Sequence, residues 1–148
     1  FADYDNDGDY DAFIVPKDKN DGIVKAYRNN GHGKFTEITS TLNIGQYGFS
    51  LVFLDADNDG DLDIIAPRTR DYTRFYRNDG GSFTSDDNTG LRLKSFDPRG
   101  SAVGDVDDDG DLDLYYADAN KDGITVSPTY PDTIGNHLFI NTTSTSNR

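Results

Sequence analysis

The chain has 148 residues, no cysteine and a formal net charge of −13, and its 27 acidic residues comprise 26 Asp and one Glu. This length suits one domain with a core, and the lack of Cys excludes disulfides, thiolate metal sites and cysteine nucleophiles. Because Lys and Arg are scattered singly and no apolar run approaches the roughly 18 residues that span a bilayer, neither nucleic acid binding nor direct membrane insertion is expected.

The first predicted element is an acidic loop within the opening segment Phe1-Ala-Asp-Tyr-Asp-Asn-Asp-Gly-Asp-Tyr-Asp. Aspartates occupy alternate positions from Asp3 to Asp11, and Gly8 stands at the sixth position of this nine-residue segment, loop 1 (residues 3–11). An apolar run, Phe13-Ile-Val15, follows the loop and predicts a strand. Asp in place of Glu throughout favours turns and metal loops over helices.

The second unit repeats this pattern and is the most complete of the three. Loop 2 (residues 55–63) begins 52 positions after loop 1, at Asp55, and has Gly60 at its sixth position. Four short strands are predicted around it, over residues 48–54, 62–66, 73–77 and 82–85. The stretch Asn78-Asp-Gly-Gly81 predicts a tight hairpin, because Asn, Asp and Gly tolerate the positive φ that such a turn needs.

A second motif recurs downstream of each loop. Tyr27-Arg-Asn-Asn-Gly31 in the first unit corresponds to Tyr76-Arg-Asn-Asp-Gly80 in the second, and Phe139-Ile-Asn141 is a degenerate third copy. The Tyr and Arg side chains are interpreted as packing between units, with a carbohydrate-binding aromatic face as the alternative. The repeat period is therefore about 50 residues.

The third unit contains loop 3 (residues 105–113), which begins 50 positions after loop 2 and has an additional acid, Asp108. Downstream of it, Asp118, Asn120 and Asp122 resemble half of another loop and are a weak candidate for a fourth metal site, a plain turn being favoured. Asn141 begins an Asn-Thr-Thr sequon and is predicted to be glycosylated if the protein follows a eukaryotic secretory route.

Alternate carboxylates on a tightly curved loop converge on one point, which suits a hard cation that takes six to eight oxygen ligands. We expect side-chain oxygens from positions 1, 3, 5 and 9 of each loop, and the backbone carbonyl from position 7. An EF-hand is excluded because position 12 holds Ile14, Ala66 or Tyr116 instead of Glu. About three Ca²⁺ ions are predicted, with these ligands: Asp3, Asp5, Asp7, Asp9, Asp11, Asp55, Asp57, Asp59, Asp61, Asp63, Asp105, Asp107, Asp109, Asp111 and Asp113.

Four strands in a period of about 50 residues are typical of a β-propeller blade. The predicted fold is all-β, with blades of four antiparallel strands, calcium-binding inter-strand loops and an incomplete ring. One repeat domain is expected, divided into blade 1 at about 1–46 with a truncated inner strand, blade 2 at about 47–96, and blade 3 at about 97–148 with a degenerate outer strand.

The loops and the Phe75-Tyr-Arg-Asn-Asp-Gly-Gly-Ser-Phe-Thr84 segment resemble the FG-GAP/VCBS repeat, the blade unit of integrin α-subunit and cartilage-acidic-protein-like propellers. The resemblance implies a seven-bladed propeller with calcium in inter-strand loops, normally extracellular and used for adhesion or ligand display. Three units are too few to close such a ring. The rest of the propeller is therefore expected from a longer chain or from other subunits.

The leading functional hypothesis is a secreted or cell-surface, calcium-binding structural or adhesion module that contacts protein or glycan ligands. A first alternative is a subunit of a polymeric extracellular assembly that neighbouring chains complete. A second is the propeller scaffold of a polysaccharide lyase or hydrolase. No catalytic residues are predicted, because there is no nucleophile motif and almost every acid pair is committed to a loop.

Overall fold

In the computed structural model, the described residues are 1–16, 23–42, 44–45, 50–68, 71–86, 88–89, 91, 94–95, 98–118 and 137–141. Within these, antiparallel strands predominate, which confirms the predicted all-β class. The strands are β1 (Ala12–Ile14), β2 (Lys25–Asn29), β3 (Phe35–Glu37), β4 (Val52–Leu54), β5 (Asp63–Ala66), β6 (Asp71–Tyr72), β7 (Arg74–Asp79), β8 (Ser82–Ser85), β9 (Lys94–Ser95), β10 (Pro98–Gly104), β11 (Asp113–Asp118) and β12 (His137–Phe139). A short helix, α1, covers Thr39–Leu42.

The second unit forms a four-stranded sheet, sheet 2, in the order β4-β5-β7-β8. Its last two strands make the predicted hairpin, with Asp79 paired to Ser82 and positive φ values of 59° at Gly80 and 84° at Gly81. Two consecutive residues with positive φ match the right-handed twist of the flanking strands, which is why glycines occupy both positions.

The other two units repeat parts of this order. Sheet 1 has the order β1-β2-β3 and sheet 3 the order β10-β11-β12, each strand antiparallel to its neighbour. In the first unit, a single bridge between Ala2 and Asp11 stands where Leu54 pairs with Asp63 in the second. The truncation of the inner strand in the first unit stays a prediction.

The strand boundaries differ from the predictions by one or two residues. The strand predicted over 62–66 begins at Asp63, and the one predicted over 73–77 runs from Arg74 to Asp79. Strand β7 continues through Asn78 and Asp79 because Gly80 and Gly81 alone form the turn. Of the strand predicted over 48–54, residues 52–54 are observed, and residues 46–49 lie outside the described residues.

The hydrophobic core lies on both faces of sheet 2. Ile64 and Ile65 are adjacent on β5, point to opposite faces and are both 0% exposed. Ile64 packs in a cluster shared with sheet 1, and Ile65 in a cluster shared with Leu114 of sheet 3. Each fully buried Ile stabilises the fold by about 1.5–3 kcal/mol. The three sheets are therefore stacked in chain order through two apolar layers.

Helix α1 and the two-stranded pairing of β6 with β9 were not anticipated from the sequence. Neither shows helical or strand periodicity, since four residues and two residues are too short to display a period. Closure of a ring and the three blade boundaries stay predictions.

Candidate metal centres

Each acidic loop starts and ends on neighbouring paired strands. In loop 2, Leu54 precedes position 1 and pairs directly with Asp63, which is position 9. Gly104 pairs with Asp113 in the same way, and the Ala2–Asp11 bridge does so in loop 1. This pairing brings the first and last aspartates of each loop together.

The carboxylate at position 1 organises the turn. Asp55 accepts hydrogen bonds from the backbone N–H groups of Asp59 at 3.1 Å and Gly60 at 3.0 Å. The corresponding bonds in loops 1 and 3 measure 3.0–3.2 Å. The turn needs left-handed backbone at position 6, where Gly60 has a φ of 95°, and at position 4, where Asn58 has a φ of 62°. Gly and Asn are the residues that adopt this conformation most readily.

The carboxylates at positions 1, 3 and 9 converge in all three loops. In each loop, one oxygen from each of the three side chains lies within 4.8 Å of the others, an arrangement that can hold a metal ion. Nine of the fifteen predicted ligand residues therefore come together, in three equivalent groups. These groups are Asp3, Asp5 and Asp11; Asp55, Asp57 and Asp63; and Asp105, Asp107 and Asp113.

The carboxylates at positions 5 and 7 lie in the same loops but outside these groups. At position 5, Asp59 accepts the N–H of Asp61 at 2.9 Å, and its counterparts in the other two loops do the same at 3.0 and 2.9 Å. At position 7, both carboxylate oxygens of Asp61 accept hydrogen bonds from outside the loop, from Asn6 and Gly80. A main-chain role for position 7 is compatible with this arrangement and stays a prediction.

Sequence reasoning missed the residue that fixes position 9. Asp63 is 0% exposed, and its two oxygens accept the backbone N–H groups of Asn78 at 2.8 Å and Ala56 at 3.0 Å. Equivalent bonds join Asp11 to Asn29 and Tyr4, and Asp113 to Asn141 and Val106, at 2.8–3.3 Å. The backbone N–H at the end of each motif, Tyr-Arg-Asn in the first two units and Phe-Ile-Asn in the third, thus ties the motif to the loop, and each Asn side chain also donates to a loop carbonyl. The recurrence of this Asn in all three units was the signal available in the sequence.

The Arg of the same motif reaches the loop rather than only covering apolar surface. Arg28 pairs with Asp5 at 2.8 Å and with Asp7 at 3.0 Å, and Arg77 pairs with Asp57 at 3.1 Å. In the third unit, Ile140 takes this place in the motif. Loop 3 therefore lacks the arginine that neutralises part of the charge in loops 1 and 2.

The carboxylates at position 3 of loops 1 and 2 each have one oxygen whose burial no hydrogen bond offsets. The Oδ1 atoms of Asp5 and Asp57 are buried without a hydrogen-bond partner. Desolvation, followed by neighbouring acids, raises the pKa of Asp57 despite Arg77, and desolvation raises the pKa of Asp63 to about 6 against backbone hydrogen bonds that lower it. A donor set made only of oxygens, with an unpartnered carboxylate oxygen beside a buried Asp, fits a hard divalent cation such as Ca²⁺.

The weaker predicted sites are only partly described. Asp118 is buried at the end of β11 and belongs to none of the three carboxylate groups, while Asn120 and Asp122 lie outside the described residues. Asn141 donates its side-chain amide to the carbonyl of Ala56 at 3.3 Å. Glycosylation of Asn141 stays a prediction.

A cleft of about 360 Å³ lies between sheets 2 and 3, lined by apolar side chains and by Asp57, Arg77 and Asn141. Ala56 lines it at the loop position that Tyr4 holds in the first unit. Between sheets 1 and 2 the Tyr4 ring fills the corresponding space, 6.1 Å from the ring of Phe83. Ala56 thus leaves this position of the cleft without the ring that Tyr4 provides between sheets 1 and 2.

The part of the chain that the structure describes holds no helix with the length and apolarity of a membrane span. No curated protein matched the chain. Residues 3–66, a span that contains loops 1 and 2 and the first Tyr-Arg-Asn motif, match the family model described as FG-GAP-like repeat. Such repeats are typical of extracellular proteins and are generally found in adhesion-type modules. Residues 3–66, somewhat less than half of the chain, thus resemble an FG-GAP-like repeat, and this match is in line with the FG-GAP repeat family.

Proposed function

We propose that the chain is a calcium-stabilised extracellular module with a structural or adhesive role, contacting protein or glycan ligands without catalysing a reaction. Calcium would be held by positions 1, 3 and 9 of each loop, joined by position 5 and the main chain of position 7. The cation would neutralise carboxylates that otherwise repel one another and would fix each turn between its two strands.

The observation that carries the proposal is the threefold recurrence of one arrangement. Three loops separated by about 50 residues each bring the same three carboxylates together. In loops 1 and 2 the carboxylate at position 3 also has a buried oxygen without a hydrogen-bond partner. Sixteen of the 27 acids lie in these loops, so repulsion among them opposes folding unless a cation binds.

Isothermal titration of the chelator-treated protein with Ca²⁺ tests the proposal. We expect about three ions per chain, and about two when Asp55 and Asp57 are both replaced by Asn. Asp108→Asn is the matched control, because it removes a loop carboxylate at position 4, where loops 1 and 2 have Asn. No binding heat in the wild type, or an equal loss of sites in the control, would contradict the proposal.

Sheet 3 has an exposed apolar face, which indicates that a further unit covers it. The row Val52, Ile65 and Phe75 of sheet 2 is buried against sheet 3. The equivalent row of sheet 3 includes Tyr115 and Leu138, which are 42% and 53% exposed. We propose that another repeat unit, from a longer chain or a second subunit, packs on this face.

Sedimentation of the calcium-loaded chain tests this second candidate. If neighbouring copies cover sheet 3, the mass should exceed that of the 16.4 kDa monomer and fall towards it in Tyr115→Lys. Tyr10→Lys is the control, because Tyr10 is 70% exposed and lies in loop 1 instead of on this face. A wild-type monomer at all concentrations would exclude self-assembly and leave a longer chain as the source of the covering unit.

A further inference from the structure

The three loops are joined to one another by asparagine side chains. Asn6, at position 4 of loop 1, donates its Nδ2 group to Asp61 Oδ1 at 2.7 Å and to the Gly60 carbonyl at 3.1 Å. Asn58, at position 4 of loop 2, donates to Asp111 Oδ1 at 2.8 Å. In both cases position 4 of one loop reaches position 7 of the next.

The acceptor in each pair is a residue whose backbone the ion site is expected to use. Asp61 has its second oxygen bonded to the N–H of Gly80 at 2.7 Å, so protein donors hold both sides of its carboxylate. Asp111 is only 3% exposed. Fixing the side chain at position 7 restricts the direction of its backbone carbonyl, and Asn6 also binds the carbonyl of the preceding residue.

The donor in each pair is aimed by the fold of its own loop. Asn6 and Asn58 have φ values of 55° and 62°, the left-handed conformation that the turn imposes at position 4. Asp108 has the same conformation in loop 3, with a φ of 61°, but its carboxylate offers no amide donor. The pattern therefore links loop 1 to loop 2 and loop 2 to loop 3.

We infer that Asn6 and Asn58 are positioning residues that couple ion binding in neighbouring loops. An ion that orders one loop orients the Asn that holds position 7 of the next, so the two binding events favour each other. The coupling is reciprocal, as linkage requires of any two sites. This inference rests on the proposed function, because it presupposes that the loops bind a cation.

A site-resolved calcium titration tests the coupling. The amides of Gly8, Gly60 and Gly110 each donate to the position 1 carboxylate at 3.0 Å, so their NMR signals report the three loops separately. Asn6→Gly keeps the positive φ and removes the side-chain donor, at the cost of a more flexible backbone at position 4. We expect it to raise the half-saturation concentration at Gly60 by about threefold to tenfold, the effect of losing one or two hydrogen bonds.

Asp108→Gly is the matched control, since it makes the same backbone change at position 4 of a loop that has no amide donor there. It should move only the Gly110 midpoint. Asn58→Gly is a second, independent variant. It should raise the half-saturation concentration at Gly110, the amide of the loop that Asn58 contacts. Variants that shift only the midpoint of their own loop, or all three midpoints equally, would overturn the inference. If no wild-type amide responds to Ca²⁺, the proposed function itself fails, a result distinct from the loss of coupling.

Discussion

At the scale of single residues, the aspartate at position 9 has two tasks. In loop 2, Asp63 accepts one backbone N–H from its own loop and another from β7, while its carboxylate belongs to the predicted metal group. A carboxylate oxygen has two lone pairs and can accept a hydrogen bond and still face a cation. The side chain thus joins the loop to β7, and it would also face the proposed ion.

Replacing Asp63 by Asn should reduce the free energy of unfolding by about 1–3 kcal/mol, because the amide can accept only one of the two bonds and leaves a buried donor unsatisfied. One calcium site should also disappear. Urea unfolding and calcium titration measure the two effects. Asp108→Asn serves as the control, and we expect it to change neither quantity. Equal stability of the two variants would contradict the role assigned to Asp63.

The raised pKa of Asp63 predicts an unusual pH dependence for the metal-free protein. Its pKa is about 6 in the folded state against 3.8 for the free side chain, so the folded state binds this proton more tightly. The resulting stabilisation is present below about pH 4 and is lost as the pH rises through about 6. In excess chelator, the protein should unfold at a higher urea concentration at pH 5 than at pH 7, with a smaller difference in Asp63→Asn. A lower midpoint at pH 5 would contradict the assignment.

At the scale of elements, the turns after the two Tyr-Arg-Asn motifs require glycine for the same reason, a positive φ. Gly80 has a positive φ and open space beyond its Cα. Gly31 has a positive φ of 72°, and an added Cβ would meet only the carboxylate end of the Asp9 side chain, which can rotate away. Backbone strain therefore acts at both positions.

Gly80→Ala and Gly31→Ala should therefore each lower the free energy of unfolding by about 1–2 kcal/mol. Gly100→Ala is the control, because Gly100 lies in β10 without a positive φ and with open space around it. Differential scanning fluorimetry in excess Ca²⁺ ranks the three variants. A Gly100→Ala variant as unstable as Gly31→Ala would contradict this explanation.

Much of the element pattern could be predicted from the sequence, because the loops repeat and each is bounded by short apolar runs. The hairpin was predictable because Gly80 and Gly81 are adjacent, and a type I′ turn needs two consecutive residues that accept a positive φ. The bonds from Asn78 to Asp63 and from Asn6 to Asp61 could not be predicted from the sequence. They join residues 15 and 55 positions apart, and neither spacing nor periodicity indicates which side chains will meet across strands.

At the scale of the whole molecule, the sheets are stacked through the two apolar layers on either side of β5. The loops lie along one side of this stack, where Asn6 and Asn58 connect them. The repeat predicted the number of units, but their stacking depends on which face of each strand is apolar. Ile64 and Ile65, buried on opposite faces, show that sheet 2 is an internal layer.

Calcium in the three loops is proposed to stabilise this stack. An ion that binds only the folded state contributes about 2.7 kcal/mol per site at a hundredfold excess over its Kd. Thermal unfolding of the same preparation in excess Ca²⁺ and in excess chelator measures this contribution directly. We expect the Tm to be lower by well over 10 °C in chelator and to be restored by Ca²⁺. Equal Tm values under the two conditions would contradict it.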